Sequence, residues 1–571
     1  MPNRIIGSSR PRGYTVAAGL GATALLLASC GSGSTAPPPS NAHKGGTLLI
    51  VTTSNPGSVD TAINYGTGWF ELNITNDGLT AYQKVAGKAG TQLVPDLAAA
   101  LPTVTDSGTT YTFHIRSGIH YSDGTLLKPS DFVNVFERMF KVMGPTTGPF
   151  YSGIVGAPAC LAKPATCDLT QGIVADDAAN TLIIHLLQPD GEFLDKLALP
   201  FAFAVPPSAP NTDAGTHPLP GTGPYMWAEY SANTEIKLVR NPYFHVWSTA
   251  AQPAGYPNTI IVKFGVPAES QVTEVENGQA DWVASTTGLP SDRLAEISSS
   301  YPSQLHVSLA TAIFYMALNV NVPPFNNQMV RQALNYATDR GALVKLFGGP
   351  KLAVPSCQIL PPNFPGYVQY CPYTANAASN GAGAWTAPDL AKARQLVAQS
   401  GTAGQTVTIV NPNIPLGVST GQYFEQLLNS LGYKAKLQLL APQVQNPYAK
   451  DSSHKVQISL SIWYQDYQAA SDFLNVLLGC GSFQANSGSQ PNISEFCDQS
   501  IQAQMNQALA EGSTNRAAAD TLWATVDHEM TDQAPMVVMY NPTNDDFVGK
   551  RVGNYEYNPQ WGFLVDQAWV Q

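Results

Sequence analysis

One carboxylate in this chain lies among aromatic side chains, just after a predicted buried strand. Apolar residues alternate with polar ones from Val456 to Ile462, which predicts a strand that ends at a surface. Asp466 follows, and its neighbours carry three rings, those of Trp463, Tyr464 and Tyr467. An acid in such surroundings can pair with a ligand ammonium while Trp463 or Tyr467 packs against the apolar part of the ligand.

The same acid also has a purely structural interpretation. An apolar run opens at Ser471-Asp472 and continues to Leu478, and acids are common near helix starts. Asp466 would then be a helix cap and would bind no ligand. Local sequence leaves both interpretations open, so the elements around this stretch have to separate them.

Composition limits the class of protein. The chain has 571 residues, which is too many for one hydrophobic core and predicts two to four domains. Apolar residues make up 44% and charged residues 12%, as in a folded chain with a sparsely charged surface. The formal net charge of −11 and the lack of any Lys/Arg cluster argue against a nucleic-acid partner.

The N-terminus is typical of an exported lipoprotein. Arg4, Arg10 and Arg12 precede an apolar run from Val16 to Ala28, which is too short to span a bilayer. Leu27-Ala28-Ser29-Cys30 resembles the bacterial lipobox, which implies a signal peptide over 1–29 and a lipidated Cys30. Residues 30–43, rich in Ser, Pro and Gly, are predicted to be a flexible tether. We therefore expect the protein on the outer face of the cell membrane, held by its lipid.

The other six cysteines form close pairs in the sequence. These pairs are Cys160/Cys167, Cys357/Cys371 and Cys480/Cys497. Each pair brackets loop-like sequence, which predicts disulfides in an oxidising compartment, although six cysteines allow fifteen pairings. A metal site is the competing idea, but the spacing matches no Cys-x-x-Cys pattern and no His pair lies nearby. We predict no metal and no cofactor.

Several segments have clear secondary-structure patterns. Pro129 to Met143 is predicted to be a helix, and Val330 to Phe347 a second, with Asp339-Arg340 facing outward. Thr406–Val410 and the strand after Gly432 predict a β-α-β unit, the usual content of a parallel-sheet lobe.

An ordered set of motifs resembles the family 5 extracellular solute-binding proteins, the oligopeptide- and dipeptide-binding components of ABC importers. The elements, in chain order, are Pro95-Asp96-Leu97-Ala98, Tyr111-Thr112-Phe113, Tyr121-Ser122-Asp123-Gly124, Gly221-Thr222-Gly223-Pro224-Tyr225, Asn241-Pro242-x-x-x-x-Trp247, Gly278-x-x-Asp281, Pro324-Phe325, the segment from Val330 to Arg340, and Trp463-x-x-Asp466. Each element alone is weak, but the set runs in the family's order from about Gly45 to the C-terminus.

The resemblance implies an α/β fold of the periplasmic-binding-protein type II. Two lobes would enclose a ligand cleft, with an extra domain inserted in the first lobe. The implied division is domain I over 44–82, 206–309 and 533–571, domain II over 83–205, and domain III, the opposing lobe, over 310–532. The chain would then cross between lobes twice, and these crossings would act as the hinge.

The resemblance also implies residue roles. Asp466 would pair with a peptide's α-amino group, and Trp463 would line the adjacent pocket. Backbone contacts to an extended ligand would come from two loops. The candidate residues in these loops are Tyr65, Gly66, Thr67, Thr286 and Thr287. Only His454 and Lys455 carry positive charge in the ten residues before Trp463, so a dedicated carboxylate clamp is not expected.

Three functions are compared with these patterns. The first is a monomeric, lipid-anchored protein that delivers peptides to the permease subunits of an ABC transporter. The second keeps the fold and changes the ligand to an oligosaccharide, opine, haem or nickel chelate. The third is a secreted hydrolase, which the chain does not favour: it has no Gly-x-Ser-x-Gly elbow, and His528-Glu529 lacks the second His of a zinc motif. We predict a binding protein and not an enzyme.

Overall fold

The computed structural model describes residues 43–66, 68–284 and 288–571. Within these ranges the strands alternate with helices along most of the chain. The strands are β1 Thr47–Val51, β2 Thr80–Tyr82, β3 Leu93–Pro95, β4 Thr103–Thr105, β5 Thr110–His114, β6 Ile173–Asp176, β7 Thr181–His185, β8 Tyr225–Ser231, β9 Glu235–Arg240, β10 Thr259–Lys263, β11 Trp282–Val283, β12 Leu305–Leu309, β13 Ala312–Leu318, β14 Ala353–Pro355, β15 Thr406–Pro412, β16 Lys434–Leu440, β17 Ile458–Tyr464, β18 Met536–Phe547, β19 Val552–Gly553, β20 Tyr557–Asn558, β21 Gly562–Phe563 and β22 Trp569–Val570.

The α-helices lie mostly between strands and cover the sheets. They are α1 Trp69–Thr75, α2 Pro129–Lys141, α3 Thr147–Tyr151, α4 Ala157–Ala162, α5 Phe193–Leu197, α6 Ala268–Glu276, α7 Ser291–Ser300, α8 Gln328–Ala337, α9 Arg340–Phe347, α10 Leu390–Ser400, α11 Pro415–Ser430, α12 Pro442–Lys450, α13 Ser471–Leu478, α14 Gln499–Gly512 and α15 Arg516–Gln533. None of them is long and apolar enough to cross a bilayer, as far as the described residues show.

The first lobe contains two sheets. A five-stranded sheet has the order β11-β1-β10-β9-β8, and a separate four-stranded antiparallel sheet has the order β4-β5-β7-β6. The second sheet packs on an apolar core that continues into neighbouring segments of the chain, and α2 contributes Phe132, Phe136 and Met139 to it. These three side chains recur at helical spacing, which explains why the predicted helix forms here and which face it buries.

The opposing lobe is built on a seven-stranded sheet. Its order is β12-β18-β13-β17-β15-β16, and β14 pairs with β18. β15, α11 and β16 form the predicted β-α-β unit with parallel strands, from Thr406↔Lys434 to Pro412↔Leu440. Apolar cores cover both faces of this sheet, so its central strands are buried on two sides.

A long antiparallel ribbon joins the two lobes. β12 pairs with the second half of β18, and β13 pairs with its first half. Directly after β18, Val548 bridges to Trp282 of the five-stranded sheet. β18 thus pairs with β12 of the predicted domain I and with β13 of the predicted domain III.

The single helix predicted from Val330 to Phe347 is wrong. The structure has two helices, α8 and α9, with Thr338 and Asp339 in extended conformation between them and Asp339 capping α9. Arg340 faces inward and is fully buried. Its guanidinium donates to the carbonyls of Ser356 and Val538, at 2.7 and 2.9 Å. The spacing of apolar residues, on which the helix prediction is based, cannot reveal a buried Arg that donates to backbone carbonyls.

The three cysteine pairs that are close in sequence are disulfides. Cys160–Cys167, Cys357–Cys371 and Cys480–Cys497 have Cα separations of 4.4, 5.1 and 4.5 Å. They close short loops, as expected for a protein of an oxidising compartment. Cys30, the signal peptide and most of the tether lie outside the described residues.

Candidate ligand-binding site

Asp466 lies where the two lobes meet. Strand β17 ends at Tyr464, and the turn that follows carries Asp466, which is only 5% exposed. Its Oδ2 atom accepts a hydrogen bond of 2.5 Å from the hydroxyl of Tyr65, which belongs to the first lobe. The backbone carbonyl of Asp466 accepts a second cross-lobe bond, of 2.7 Å, from the Gln560 amide.

Asp466 does not cap the helix that follows it. Helix α13 begins at Ser471, its N-cap residue is Ala470, and no side chain caps it. The contact runs the other way, because Asp472 in the first turn of α13 accepts the backbone N–H of Asp466 at 2.8 Å. The helix-cap interpretation is therefore wrong, and Asp472 holds the turn that presents Asp466.

The carboxylate of Asp466 has no cationic partner in the described part of the chain. No Lys or Arg there forms an ion pair with it. Burial raises the pKa of Asp466 to about 7, although the Tyr65 hydrogen bond acts in the opposite direction. Burial and the neighbouring Asp466 charge also hold the pKa of Asp472 well above its usual range. A ligand ammonium placed here would supply the missing countercharge.

Aromatic rings pack around this turn on the first-lobe side. Tyr65 contacts Phe201 with ring centroids 5.8 Å apart, and Phe201 contacts Trp69 at 5.7 Å. Phe150 packs edge-on against Tyr467 at 5.3 Å, which joins the rings of the two lobes. These side chains exclude water from the carboxylate, which strengthens any charge-assisted bond that it makes.

The predicted site residues separate into two groups. Trp463 is half-buried, Tyr464 is 48% exposed and Tyr65 is 42% exposed, so these three border accessible space. Tyr467 is 1% exposed, and its hydroxyl is hydrogen-bonded to Ser471 at 2.8 Å. Tyr467 therefore supports the turn from behind in this conformation.

The two predicted backbone loops are described only in part. Gly66 has a φ of 86°, and a Cβ there would have nothing within 4 Å, so its backbone is open to approach. Thr67, Thr286 and Thr287 lie outside the described residues, and their roles stay predictions.

An open strand edge lies next to Asp466. β17 pairs with β13 along its whole length, from Leu318↔Ile458 to Ala312↔Tyr464. On its other edge, the pairing with β15 covers only Ile409↔Ile458 and Val410↔Ser459 in the described structure. The stretch from Ser461 to Tyr464 can therefore take an added strand on that side.

Sequence reasoning missed several residues at this site. Trp69 was detectable, because it follows Tyr65 by four residues at the start of a helix. Phe201, Gln560 and Trp561 come from distant segments, and nothing in their local sequence indicates the site. The indole N–H groups of Trp463 and Trp561 are buried without a hydrogen-bond partner among the described residues, so both are donors that a ligand carbonyl could satisfy.

Two surface cavities lie elsewhere. One, of about 490 Å³, borders the hinge ribbon at Val307 and Thr543, and the other, of about 420 Å³, lies beside Arg116 and Trp247. Neither of these two cavities includes Asp466. The described residues contain no group of three or more His, Cys, Asp or Glu side chains that could hold a metal.

The architecture is that of a two-lobed solute-binding protein, with the ligand cleft between the lobes. The family model described as bacterial extracellular solute-binding proteins, family 5, matches residues 92–485. The chain therefore belongs to this family, whose members are binding proteins and not enzymes. Its periplasmic-binding-protein type II fold agrees with that implied by the sequence motifs.

Relatives and solved structures agree with this assignment. Di/tripeptide-binding protein 1 of Pseudomonas aeruginosa (strain UCBPP-PA14) is 24% identical over 507 residues, covering 83% of this chain and 85% of that protein. The periplasmic oligopeptide-binding protein OppA of Escherichia coli (strain K12) is 26% identical over 472 residues, covering 78% and 79%. Among solved structures, clavulanic acid biosynthesis oligopeptide binding protein 2 has a TM-score of 0.83 at 23% identity, covering 93% of this chain and 96% of that one.

Proposed function

We propose that this protein captures short peptides by closing its two lobes and delivers them to the permease of an ABC transporter. The observation that carries the proposal is the buried carboxylate of Asp466, which lies at the contact between the lobes without a cationic partner in the described chain. A buried charge is costly unless it is paired, so this position favours a ligand with a positive end. The free amino group of a peptide supplies that charge.

The surroundings of Asp466 suit the rest of a peptide. The edge of β17 from Ser461 to Tyr464 offers backbone groups to an extended ligand. The buried indole N–H groups of Trp463 and Trp561 are donors for ligand carbonyls. Tyr464 and Tyr65 give apolar surface for side chains. A peptide meets these demands with its ammonium, its amides and its side chains together.

Closure would take place about the ribbon of β12, β13 and β18. We propose the predicted division of the chain, with domains I and II on one side of this ribbon and domain III on the other. Strands that cross between lobes can absorb small dihedral changes while each sheet moves as a rigid body.

We further propose that lipid on Cys30 holds the protein at the outer face of the membrane, where it works as a monomer. The tether over 30–43 would let the binding domain reach the permease. Replacement of Cys30 by Ser should release the protein from the membrane fraction without changing its affinity for ligand.

Calorimetry with matched peptides tests the function. Tri-alanine with a free amino group should bind, and its N-acetylated form should bind poorly. Mass spectrometry of the protein as purified should find amine-bearing peptides in the cleft. Equal affinity for the two peptides would remove Asp466 from the amine role, and a sugar or chelate in the cleft would contradict peptide transport.

A further inference from the structure

A second contact between the lobes lies beside the candidate site, in a part of the chain that matches no motif. On the first lobe it consists of the loop before α5 and of α5 itself. On the opposing lobe it consists of the end of α14 and the start of α15. The backbone N–H of Gly191 donates to the carbonyl of Leu509 at 2.8 Å, which joins the two lobes directly.

Arg516, the first residue of α15, forms an ion pair across this contact. Its guanidinium donates to Asp195 at 2.9 Å and to the backbone carbonyl of Gln468 at 3.1 Å. Asp195 belongs to α5 and is 1% exposed, whereas the Arg516 side chain is 42% exposed. An ion pair with one buried partner is less screened by water than a pair on the open surface.

The same contact fastens the turn that carries the ligand carboxylate. Gln468 follows Asp466 by two residues, and both of its backbone groups are held. Its carbonyl accepts from Arg516, and its N–H donates to the Tyr82 hydroxyl at 3.0 Å. Tyr82 in turn donates to Asp195 at 3.0 Å. Asp195 is therefore connected through Tyr82 and Arg516 to the backbone beside Asp466.

Close approach at this contact depends on glycine. A Cβ on Gly191 would lie 2.2 Å from the backbone carbon of Gly512 and 2.5 Å from the nitrogen of Ser513. Gly191 does not have a positive φ, so its backbone conformation does not require glycine. The three atoms nearest to the added Cβ all belong to the opposing lobe, so the collision with them would disappear when the lobes separate.

We propose that Gly191, Asp195 and Arg516 form a closure latch, with Arg516 as a positioning residue for the ligand-bearing turn. The latch holds the closed state and sets the turn of Asp466 through the backbone of Gln468. The bonds of Gly191 to Leu509, of Arg516 to Asp195 and of Gln468 to Tyr82 join different lobes, so opening must break them. Ion pairs within one lobe, such as Arg293–Glu276 at 2.8 Å, are unaffected by opening. The proposal uses the lobe closure of the proposed function, but it concerns residues that touch no ligand.

The first test is a steric wedge. Gly191→Ala should shift the protein toward the open form, and Gly153→Ala is the control, since a Cβ on Gly153 meets nothing within 4 Å. Small-angle scattering should give a larger radius of gyration for Gly191→Ala than for wild type, both as purified and after removal of any bound ligand. The thermal midpoint should stay close to that of the control, because neither lobe is altered. Equal radii in both states would overturn the latch.

The second test removes the cation. Arg516→Gln should accelerate dissociation of tri-alanine roughly tenfold and leave its association rate within about twofold, as expected for loss of a partly buried charge pair. Arg516→Lys should restore part of the effect. Arg293→Gln, which removes an ion pair within one lobe, should leave dissociation as in wild type. An Arg516→Gln variant that releases the peptide at the wild-type rate would contradict the positioning role.

The two tests separate this inference from the proposed function. The scattering measurement needs no peptide, so a protein that binds no tri-alanine still reports on the latch. If peptide binding fails and Gly191→Ala still opens the protein, the result supports the latch and contradicts the peptide as ligand. If peptides bind normally and neither variant changes closure or release, the result contradicts the latch and supports the peptide as ligand.

Discussion

Two carboxylates are buried where the lobes meet, and they have different partners. Asp195 is 1% exposed and forms an ion pair with Arg516 at 2.9 Å. Asp466 is 5% exposed and has only the hydroxyl of Tyr65 on its Oδ2, with no Lys or Arg pairing in the described chain. Asp195 is thus compensated within the protein, whereas the described residues supply no such countercharge for Asp466.

The difference shows how burial alone fails to identify a binding site. Many acids of this chain are buried, and several are paired inside one lobe, as Asp60 is with Arg138 and Asp281 with Arg551. Asp466 differs because it is buried between the lobes and has no such partner among the described residues. A charge that is exposed in the open form and enclosed in the closed form can couple ligand binding to closure, since the ligand then removes the cost of enclosing it.

The largest effect is expected from removing the uncompensated charge. Asp466→Asn should weaken the binding of free-amine peptides by roughly 2–5 kcal/mol, as for loss of one partner of a buried charge pair. N-acetylated peptides should bind the variant about as poorly as they bind wild type. Calorimetry with both peptide types measures the difference, and a variant that keeps its preference for free amines would assign the amine to another residue.

Removing the compensated charge should lower the stability of the protein without changing its preference for a free amino group. Asp195→Asn should lower the free energy of unfolding by about 1–3 kcal/mol, because Tyr82 and Arg516 lose a charged acceptor. The ratio of affinities for free-amine and N-acetylated peptides should not change. Urea unfolding and calorimetry check the two parts, with Glu296→Gln as a control for an exposed acid. A changed ratio of these affinities would show that Asp195, like Asp466, affects recognition of the free amino group.

The pH dependence of binding should follow Asp466. Burial raises the pKa of Asp466 to about 7 where the lobes enclose it, so an ammonium bound in this enclosed site has to displace a proton below pH 7. Affinity for free-amine peptides should therefore fall as pH decreases below 7, by about 1.4 kcal/mol for each pH unit. N-acetylated peptides and Asp466→Asn should show no such slope. A slope that persists in the variant would implicate Glu192, whose pKa burial raises to about 7.

The smallest effect is expected from the Tyr65 hydroxyl. Its hydrogen bond lowers the pKa of Asp466, against the effect of burial. Tyr65→Phe should therefore move the midpoint of the pH dependence above 7 and weaken binding at pH 7 by about 1 kcal/mol. Tyr243→Phe, at a half-exposed ring, is the control. A midpoint that moves below 7 would contradict the assigned direction of this hydrogen bond.

Much of this architecture could be predicted from local patterns. The run from Val456 to Ile462 predicted strand β17, and Thr406–Val410 with the strand after Gly432 predicted the β15-α11-β16 unit, because each pattern reflects contacts within a short segment. The predicted helix over 330–347 failed at Thr338. There the backbone is extended, and Asp339 caps a new helix.

The sequence alone predicted an export signal, and it determined most of the strands and helices, which cysteines are close enough to pair, and that Asp466 follows a strand among aromatic rings. Only the tertiary structure decided that Asp466 is enclosed by the first lobe while Asp195 has Arg516. The two residues of that pair are separated by 321 positions in the sequence, so no local sequence pattern connects them. Which charged side chains pair depends on which surfaces meet in the folded protein. The order of residues within a short segment does not show this.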